Sequence, residues 1–366
     1  MKFSVNTKEL ADALQNLLRA VSTKTSIPAL EGILIKTDVG SIKLYAYDLE
    51  ISMQTKILAN IQENGSIILS AKLFSDIVRK SPDDIISISI DDKNIAVITS
   101  GDSTFNIIGI NADEFPEIPS VSEDNNKLVV PGEILRSMIR QTIFAVAETD
   151  TKPIYQGSKF VSKDNVLDIV SVDGFRLALR RENIISSLND DFVVPGKTLS
   201  EIMKLIKDSD VEIYPSRKHI MFRLENYTVV SGVIEGEFID YKAAIPEECT
   251  TSITVNTRNL IESTERVALL ISDRLKSPIR YYFDNNEIKL SCTTAIGRAT
   301  DKIPCKIEGP GLEMGFNSRY LLDALRNTEC DEVIIKVTGA LKQMVIVPKE
   351  GDSFRFLVLP VRLKND

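Results

Sequence analysis

A short pattern recurs six times along the chain, each time at the start of a predicted helix. It consists of a polar residue or proline, a small residue, usually a basic residue, any residue, and then leucine or phenylalanine. The copies begin at Asn6, Ser70, Pro131, Pro195, Asn256 and Asn317. Alternate copies lie 122 to 125 residues apart, and the two copies of one pair lie 61 to 64 residues apart. This spacing predicts three domains, each built from two similar halves.

Each predicted half combines one helix with several antiparallel strands. Leu10, Leu14 and Leu17 follow the first copy at helical spacing and predict a helix with one buried face. Segments such as 86–90 and 333–337 alternate apolar and polar residues, which is typical of strands with one wet face. The chain is therefore predicted to have an α+β fold, with joints that contain proline between its domains. The expected domain bounds are 1–120, 128–246 and 250–366.

Charge is distributed unevenly between the predicted helices and the rest of the chain. The formal net charge is −8, which by itself argues against a nucleic-acid partner, because phosphates attract lysine and arginine. The six predicted helices nevertheless carry a net charge of +6, which leaves −14 for the remaining residues. Chance combined with the good helix propensity of lysine and arginine is an alternative explanation. Glutamate is an equally good helix former and is not enriched there, which favours a basic surface for an anionic partner.

Membrane and secreted classes are disfavoured by the composition. No apolar run approaches the roughly 18 residues that a membrane helix needs, and the first ten residues lack the features of a signal peptide. We therefore expect a cytoplasmic protein with no membrane partner. The four cysteines, Cys249, Cys292, Cys305 and Cys330, form no CxxC pair and are predicted to be small core residues.

Enzymes that depend on histidine or on a phosphate-binding loop find no support in the sequence. The run 196–198 resembles the end of a P-loop, but that pattern requires glycine where the chain has Asp191, so the run is interpreted as a helix start. His219 is the only histidine, so one chain cannot assemble a histidine-based triad or a multi-histidine metal site. Carboxylates are abundant, and a hydrolase of carbohydrate or phosphodiester bonds therefore stays open at this point.

Five segments, in order along the chain, resemble one protein family. They are Met1–Val5, Ile27–Leu30, Tyr47–Glu50, Asp173–Leu177 and Val358–Leu363. Together they resemble the bacterial DNA polymerase III beta subunit family, the beta sliding clamps, over the whole chain. The resemblance implies three tandem clamp-type domains in a head-to-tail dimeric ring, with helices lining the hole. It also implies a processivity factor that encircles duplex DNA, catalyses no reaction and needs no cofactor.

The predicted helix count agrees with a dimeric ring. An α-helix with its side chains is about 10 Å wide, so six helices side by side enclose a hole of roughly 19 Å and twelve enclose roughly 38 Å. A DNA duplex is about 20 Å across, so only two chains leave room for it and a layer of water. The partners that the resemblance implies are double-stranded DNA of any sequence, the polymerase III alpha subunit, the clamp loader, and other polymerases and repair proteins with clamp-binding peptides.

Three sets of site residues follow from the helix charges and from the resemblance. The candidates for DNA contact are Lys24, Lys72, Arg79, Lys80, Arg136, Arg140, Lys197, Lys204 and Arg319. The peptide-binding groove that the resemblance implies would contain Tyr155, Val172, Gly174, Phe175, Arg176, Leu177, Ile239, Leu275, Asn317, Tyr320, Leu357, Leu359, Pro360, Val361 and Arg362. The apolar candidates for the dimer interface are Phe105, Ile107, Leu269 and Leu270.

Three groove positions depart from the family. Phe175 stands where histidine is familiar, Tyr155 where leucine is familiar, and Ile239 where proline is common. The pocket stays apolar, and we expect these changes to alter which peptides fit. Without the resemblance, the run 356–363 is predicted to be the last strand of a core, and each basic helix residue to be an ordinary solvated charge. The alternative function is therefore an interaction hub that uses the groove without encircling DNA.

Overall fold

The computed structural model describes residues 1–123, 127–149, 152–186, 188–246, 248–272 and 277–363. The α-helices in these ranges are α1 (Thr7–Leu17), α2 (Ala71–Arg79), α3 (Gly132–Ile143), α4 (Gly196–Leu205), α5 (Tyr241–Ala244), α6 (Thr257–Ala268) and α7 (Ser318–Arg326). All but the short α5 begin at a copy of the repeated pattern, as the sequence predicts. None of these helices has the length and apolar character required to span a membrane.

The helix starts explain why the pattern recurs. Asn6, Asn256 and Asn317 are N-caps, whose side-chain oxygens accept hydrogen bonds from backbone N–H groups of the first turn. These donors have no partner within the helix, so the cap stabilises its start. The residue at the fifth position is at most 1% exposed in every copy: Leu10, Phe74, Leu135, Leu199, Leu260 and Leu321. The core anchor at the fifth position is therefore common to all six copies, whereas a side chain that caps the helix is present in the three copies that begin with asparagine; Ser70 makes no such hydrogen bond, and proline has no acceptor for one.

The strands follow the same three repeats. The first repeat contains β1 (Lys2–Asn6), β2 (Gly32–Asp38), β3 (Ser41–Tyr47), β4 (Ile51–Glu63), β5 (Ser66–Ser70), β6 (Ile85–Ile90), β7 (Ile95–Ser100) and β8 (Ser103–Ile108). The second contains β9 (Leu128–Val130), β10 (Gly157–Lys163), β11 (Val166–Val172), β12 (Arg176–Asn183), β13 (Asp190–Pro195), β14 (Val211–Pro215), β15 (His219–Arg223) and β16 (Tyr227–Gly232). The third contains β17 (Thr251–Asn256), β18 (Ile279–Asp284), β19 (Glu287–Thr294), β20 (Gly297–Pro304), β21 (Lys306–Glu308), β22 (Leu312–Phe316), β23 (Glu332–Val337), β24 (Met344–Pro348) and β25 (Phe354–Val358).

One compact unit comprises Met1–Glu133 and Glu201–Val233. Its twelve-stranded antiparallel sheet runs in the order β8-β7-β6-β1-β4-β16-β15-β14-β9, and β3, β2 and β5 branch from β4. Residues 51–55 of β4 pair with residues 227–231 of β16, so the sheet continues from the first repeat into the second. The repeated pattern predicts the strands but not this junction, because the paired residues are far apart in the sequence.

The other compact unit comprises Ile134–Ser200 and Ile234–Asp366. It contains a nine-stranded sheet in the order β13-β10-β11-β12-β25-β24-β23-β17-β21, and a four-stranded sheet in the order β20-β19-β18-β22. Both faces of the nine-stranded sheet carry buried apolar side chains where β12 and β25 pair. Phe354 and Phe356 face a large core that also includes residues of α6 and α7, whereas Leu357 faces a second, smaller cluster. The smaller cluster contains three of the predicted groove residues, Val172, Leu177 and Leu357, and a fourth, Tyr155, packs against it.

Candidate functional site

The floor of the predicted groove lies where β12 and β25 pair. Leu177 stands opposite Leu357 in the register of these strands. Their side chains are 2% and 6% exposed, and both belong to an apolar cluster that also contains Val172 and against which Tyr155 packs. We call these four residues the groove floor. The structure thus brings together residues that lie up to about 200 positions apart in the sequence.

A tight turn between β11 and β12 explains the segment 173–177. Gly174 has a φ of +90°, a conformation that residues with a side chain rarely adopt. The Oδ1 atom of Asp173 accepts hydrogen bonds from the backbone N–H groups of Phe175, at 2.9 Å, and Arg176, at 3.0 Å. This turn leaves Phe175 57% exposed at the edge of the floor, while Arg176 points into the protein.

Arg176 supports an aromatic stack beside the floor. Its Nε atom lies 2.9 Å from Oδ2 of Asp173, and its Nη1 atom lies 2.5 Å from Oδ2 of Asp323. Its guanidinium carbon lies 4.7 Å from the ring centre of Tyr320, a cation–π distance. Tyr320 in turn stacks on Phe175, with ring centres 5.7 Å apart and planes inclined by 18°. Arg176 is only 5% exposed, so its role in this structure is to hold the stack rather than to reach solvent.

The C-terminal residues after β25 form a rim next to this stack. The backbone N–H of Leu359 donates to the carbonyl oxygen of Phe175 at 2.9 Å, and that of Val361 donates to the carbonyl oxygen of Gly315 at 2.8 Å. The side chains of Leu359 and Val361 are 40% and 41% exposed. The interpretation of 356–363 as a core strand therefore holds for β25 and fails beyond it, where the tail presents apolar side chains to solvent.

Four other predicted groove residues lie close in sequence to these groups. Pro360 and Arg362 belong to the same C-terminal tail, and Arg362 is exposed. Asn317 caps α7 one turn before the aromatic stack. Ile239 is 40% exposed and directly follows Phe238, which belongs to the same apolar cluster as the groove floor. Leu275 lies outside the described residues.

Four of the nine candidates for DNA contact form ion pairs with carboxylates of the same chain. The pairs are Arg79 with Asp76 at 2.6 Å, Arg140 with Glu329, Lys204 with Glu201 at 2.8 Å, and Arg319 with Glu148 at 2.7 Å. All four basic side chains are between 45% and 69% exposed. Exposed pairs of this kind contribute only about 0 to 1 kcal/mol, so a phosphate could replace the carboxylate at small cost.

Three other candidates have no such partner. Lys24 lies in an exposed loop, Lys72 is exposed on the first turn of α2, and Lys80 directly follows the last turn of that helix. In the part of the chain that the structure describes, no carboxylate lies within ion-pair distance of these lysines. Arg136 is half-buried on α3, and Lys197 is exposed at the start of α4. The three lysines are therefore the side chains most readily available to an anionic partner.

Two of the four dimer-interface candidates lie on an open edge strand, and the other two directly follow helix α6. Phe105 and Ile107 are on β8, which is the edge strand of the twelve-stranded sheet, and they stand opposite two fully buried residues of β7. Leu269 directly follows α6 and is 82% exposed. The side chain of Leu270 approaches Gly297, the first residue of β20, which is the edge strand of the four-stranded sheet. Phe105 and Leu269 thus leave apolar side chains exposed, one on an edge strand and one directly after a helix.

Two further exposed apolar residues at these edges were not predicted from the sequence. Ile108 ends β8 and is 83% exposed, and Ile296 lies in the turn before β20 and is 70% exposed. Ile108 points to the opposite face from Ile107, so a search restricted to one strand face misses it. Ile296 sits in a turn, and no periodic pattern marks it.

The residues considered for enzymatic or metal chemistry are dispersed. Within the described ranges, no group of three or more histidine, cysteine, aspartate or glutamate side chains could hold a metal ion. His219 begins β15 and is half-buried. Cys292 is buried, but Cys249 is exposed, so the prediction that all cysteines are core residues is wrong. Cys249 lies in the joint before β17, where residues 248–250 are all exposed.

Three tandem repeats of helix-plus-sheet halves, with basic helix residues and an apolar groove beside a C-terminal tail, define a clamp-type protein. Family models of the DNA polymerase III beta subunit match the chain in three consecutive pieces: the N-terminal domain at residues 1–119, the central domain at 129–240 and the C-terminal domain at 242–362. The chain belongs to this family, the bacterial DNA sliding clamps.

Individual relatives agree with the family models. The beta sliding clamp of Staphylococcus epidermidis is 31% identical over 375 residues, which cover 99% of each chain. The crystal structure of a putative DNA polymerase III beta subunit from Eubacterium rectale is 36% identical and superimposes with a TM-score of 0.94 over 99% of both chains. The crystal structure of the DNA polymerase sliding clamp from Bacillus subtilis is 31% identical, with a TM-score of 0.96 over the full length of both chains.

Proposed function

We propose that two copies of this chain close head to tail into a ring around duplex DNA, and that the ring tethers polymerases through the groove. The observation that supports this most directly is the sixfold repeat of helix-plus-sheet halves whose helices carry the excess of basic charge. No cofactor or metal ion takes part, and the protein acts by topology rather than by catalysis. The chain contains no nucleotide-binding loop, so ring opening is assigned to a separate clamp loader.

The DNA contacts in this proposal are electrostatic and independent of sequence. Lys24, Lys72 and Lys80 meet phosphates directly, and the carboxylate-paired basic residues exchange their partners for phosphates as the ring moves. Arg136 and Lys197 complete the set on α3 and α4. Because the whole protein has a net charge of −8, direct affinity for DNA is weak and falls steeply with added salt.

The dimer in this proposal joins the two open sheet edges. Edge strand β8 of one protomer lies beside edge strand β20 of the other, so that their free backbone groups pair and one sheet continues across the interface. Phe105 and Ile107 then cover Leu269 and Leu270, which removes four apolar side chains from water. An interface of this kind also explains why Ile108 and Ile296 are exposed in a single chain.

The groove in this proposal binds a short linear peptide with apolar side chains. The floor residues accept one apolar side chain, and the Phe175–Tyr320 stack with Leu359 and Val361 accepts another. The partners are the polymerase III alpha subunit, the clamp loader, and other polymerases and repair proteins that carry clamp-binding peptides. The cytoplasm is the proposed location, since these partners act on the chromosome.

The decisive experiment combines mass with DNA topology. We expect a particle of about twice 40.7 kDa by sedimentation at micromolar concentration. After loading by a clamp loader and ATP, the protein should remain on a nicked circular plasmid and leave when the plasmid is linearised. Replacing Lys24, Arg136 and Lys197 together with alanine should lower retention less than linearisation does. A monomer, or equal loss from circular and linear DNA, would refute the ring, and retained peptide binding in that case would favour the interaction hub.

A further inference from the structure

Residues 234–245 pack on the face of the nine-stranded sheet that carries the smaller apolar cluster, and they do not join the sheet as a strand. We call these residues the covering segment. At its start, the backbone N–H of Ile234 donates to the carbonyl oxygen of Val193 at 3.0 Å. Near its end, Nε2 of Gln343 donates to the carbonyl oxygen of Ala244 at 3.3 Å. Between these two points the segment is attached through its side chains.

The covering segment supplies one wall of the groove. The ring of Phe238 packs edge-on against the floor residue Tyr155, with ring centres 5.6 Å apart and planes at 81°. Ile239 follows immediately and is 40% exposed at the groove. The shape of this wall therefore depends on where the covering segment rests on the sheet, and this position is not fixed by a ladder of backbone hydrogen bonds.

A polar cluster holds the middle of the segment, in which Asp168 and Tyr241 are buried and Arg181 is 30% exposed. The hydroxyl of Tyr241 donates to Oδ2 of Asp168 at 2.9 Å. Nε and Nη2 of Arg181 donate to Oδ1 and Oδ2 of the same carboxylate, each at 2.7 Å. Asp168 is 3% exposed and Tyr241 is 6% exposed. Burial and the Asp168 charge raise the pKa of Tyr241, so its hydroxyl keeps the proton that it donates.

This polar cluster lies on the sheet face that carries the smaller apolar cluster. Asp168 lies on β11 on the same face as Val170 and Val172, and these two valines and Tyr241 belong to one apolar cluster. Burying a carboxylate costs more than burying an apolar side chain of similar size, so the cluster is a poor means of adding stability. A carboxylate held on both oxygens by Arg181 does, however, offer one fixed acceptor to Tyr241. Such an arrangement specifies a single position for the covering segment.

We propose that Asp168, Arg181 and Tyr241 are positioning residues for the peptide groove, which they shape by fixing the covering segment and with it Phe238 and Ile239. This inference rests on the proposed peptide-binding function. It assigns the three residues to ligand affinity, although none of them lies in the groove itself.

The first test is the substitution Tyr241→Phe. It removes the hydroxyl and leaves the ring in the apolar cluster, so the domain stays folded. The probe is a fluorescein-labelled synthetic peptide with leucine and phenylalanine near its C-terminus, measured by anisotropy. We expect Kd to rise about 3- to 10-fold, which is less than the full loss of a hydrogen bond to a charged group, because only part of the change in the covering segment reaches the groove. The matched control is Tyr227→Phe, which also removes a bonded hydroxyl, here the acceptor from Nδ2 of Asn16 at 2.8 Å, but in the other unit. It should leave Kd unchanged.

A double-mutant cycle separates positioning from a general loss of stability. If Tyr241 acts through the covering segment, its effect should largely disappear in an Ile239→Ala background, because the wall contact is already lost. Its effect should persist in a Val361→Ala background, since Val361 belongs to the C-terminal rim and not to the covering segment.

Two results would overturn the inference: an unchanged Kd in Tyr241→Phe, or a full additive loss when it is combined with Ile239→Ala. Peptide binding by the parent protein shows whether the groove function itself fails or only the positioning role. If the parent protein does not bind the peptide, the proposed groove function and this inference fall together. If it binds, and Val361→Ala weakens binding while Tyr241→Phe does not, only the positioning role is refuted.

Discussion

Truncation of the C-terminal tail is the sharpest perturbation of the proposed groove. A chain that ends at Pro360 loses the hydrogen bond from Val361 to Gly315 and with it the attachment of the tail to β22. Full burial of a valine or leucine side chain is worth about 1.5 to 3 kcal/mol, so the two-fifths of Val361 that is exposed can contribute about 1 kcal/mol when a peptide covers it. Leu359 is exposed to the same extent; it keeps its hydrogen bond to Phe175 but becomes the second-last residue of the chain, so its side chain is held less firmly.

The two contributions sum to about 2 kcal/mol, so we expect Kd for the fluorescent peptide to rise roughly 30-fold in the truncated chain. Sedimentation should still show a dimer, because the tail contains none of the interface candidates. The control is a chain that ends at Leu363, which lacks only residues 364–366 and should bind like the parent protein.

Gly315→Ala tests the same contact in the full-length chain. A Cβ atom there would lie 2.5 Å from Cδ2 of Leu363 and 2.9 Å from the carbonyl oxygen of Val361, so the tail must move. Alanine itself is not strained at this position, since Gly315 does not have a positive φ. We expect a loss of peptide affinity in the same direction as for the truncation. Normal binding by the chain that ends at Pro360, or lost binding by the chain that ends at Leu363, would show that the groove is placed wrongly.

Three further outcomes are expected. Replacing Lys72 and Lys80 with alanine should weaken DNA retention and reduce the slope of log K against log salt by about 1 per lost phosphate contact, measured from 50 to 200 mM salt; an unchanged slope would mean that neither lysine meets DNA. Leu269→Asp should shift sedimentation to the monomer mass, because it places a charge in an apolar interface; a surviving dimer would exclude Leu269 from that interface. Maleimide at pH 8 should label Cys249 first, because this thiol is exposed. Burial raises the pKa of Cys305 to about 11 and so delays its reaction. Equal labelling rates of the two cysteines by mass spectrometry would contradict this.

The sequence predicts the local part of the fold well for a physical reason. A capping residue such as Asn256 and an anchor such as Leu260 act within one turn of the chain, so their pattern alone indicates where a helix begins. Alternation in 86–90 and 333–337 likewise reports a strand with one buried face, and the structure has strands there. Which strands pair across repeats is decided by packing between distant segments, and no local pattern encodes it.

The candidate groove shows the same limit at the level of single residues. The segment 173–177 carries its own turn chemistry, and a resemblance could therefore locate Phe175 from the sequence. Asp168 gives no such signal, because an acidic residue within a strand is usually exposed to solvent. Its burial here depends on the position that Tyr241 takes in the folded chain. Polar clusters that support a binding site from behind are visible only once the fold brings them together.

Pairing of the basic side chains is another property that sequence reasoning misses, and it bears on how a clamp could slide. A count of lysines and arginines treats Arg319 and Lys72 alike, but Arg319 already has Glu148 as a partner at 2.7 Å. A phosphate that approaches Arg319 replaces one anion by another, so the net gain in free energy is small and the contact is easily broken. Lys72 has no carboxylate within ion-pair distance among the described residues, so a phosphate would add a partner there. In the proposed ring, such lysines would supply most of the attraction to DNA, whereas the paired side chains would only exchange one anion for another, and weak, easily broken contacts of this kind are what low-friction sliding requires.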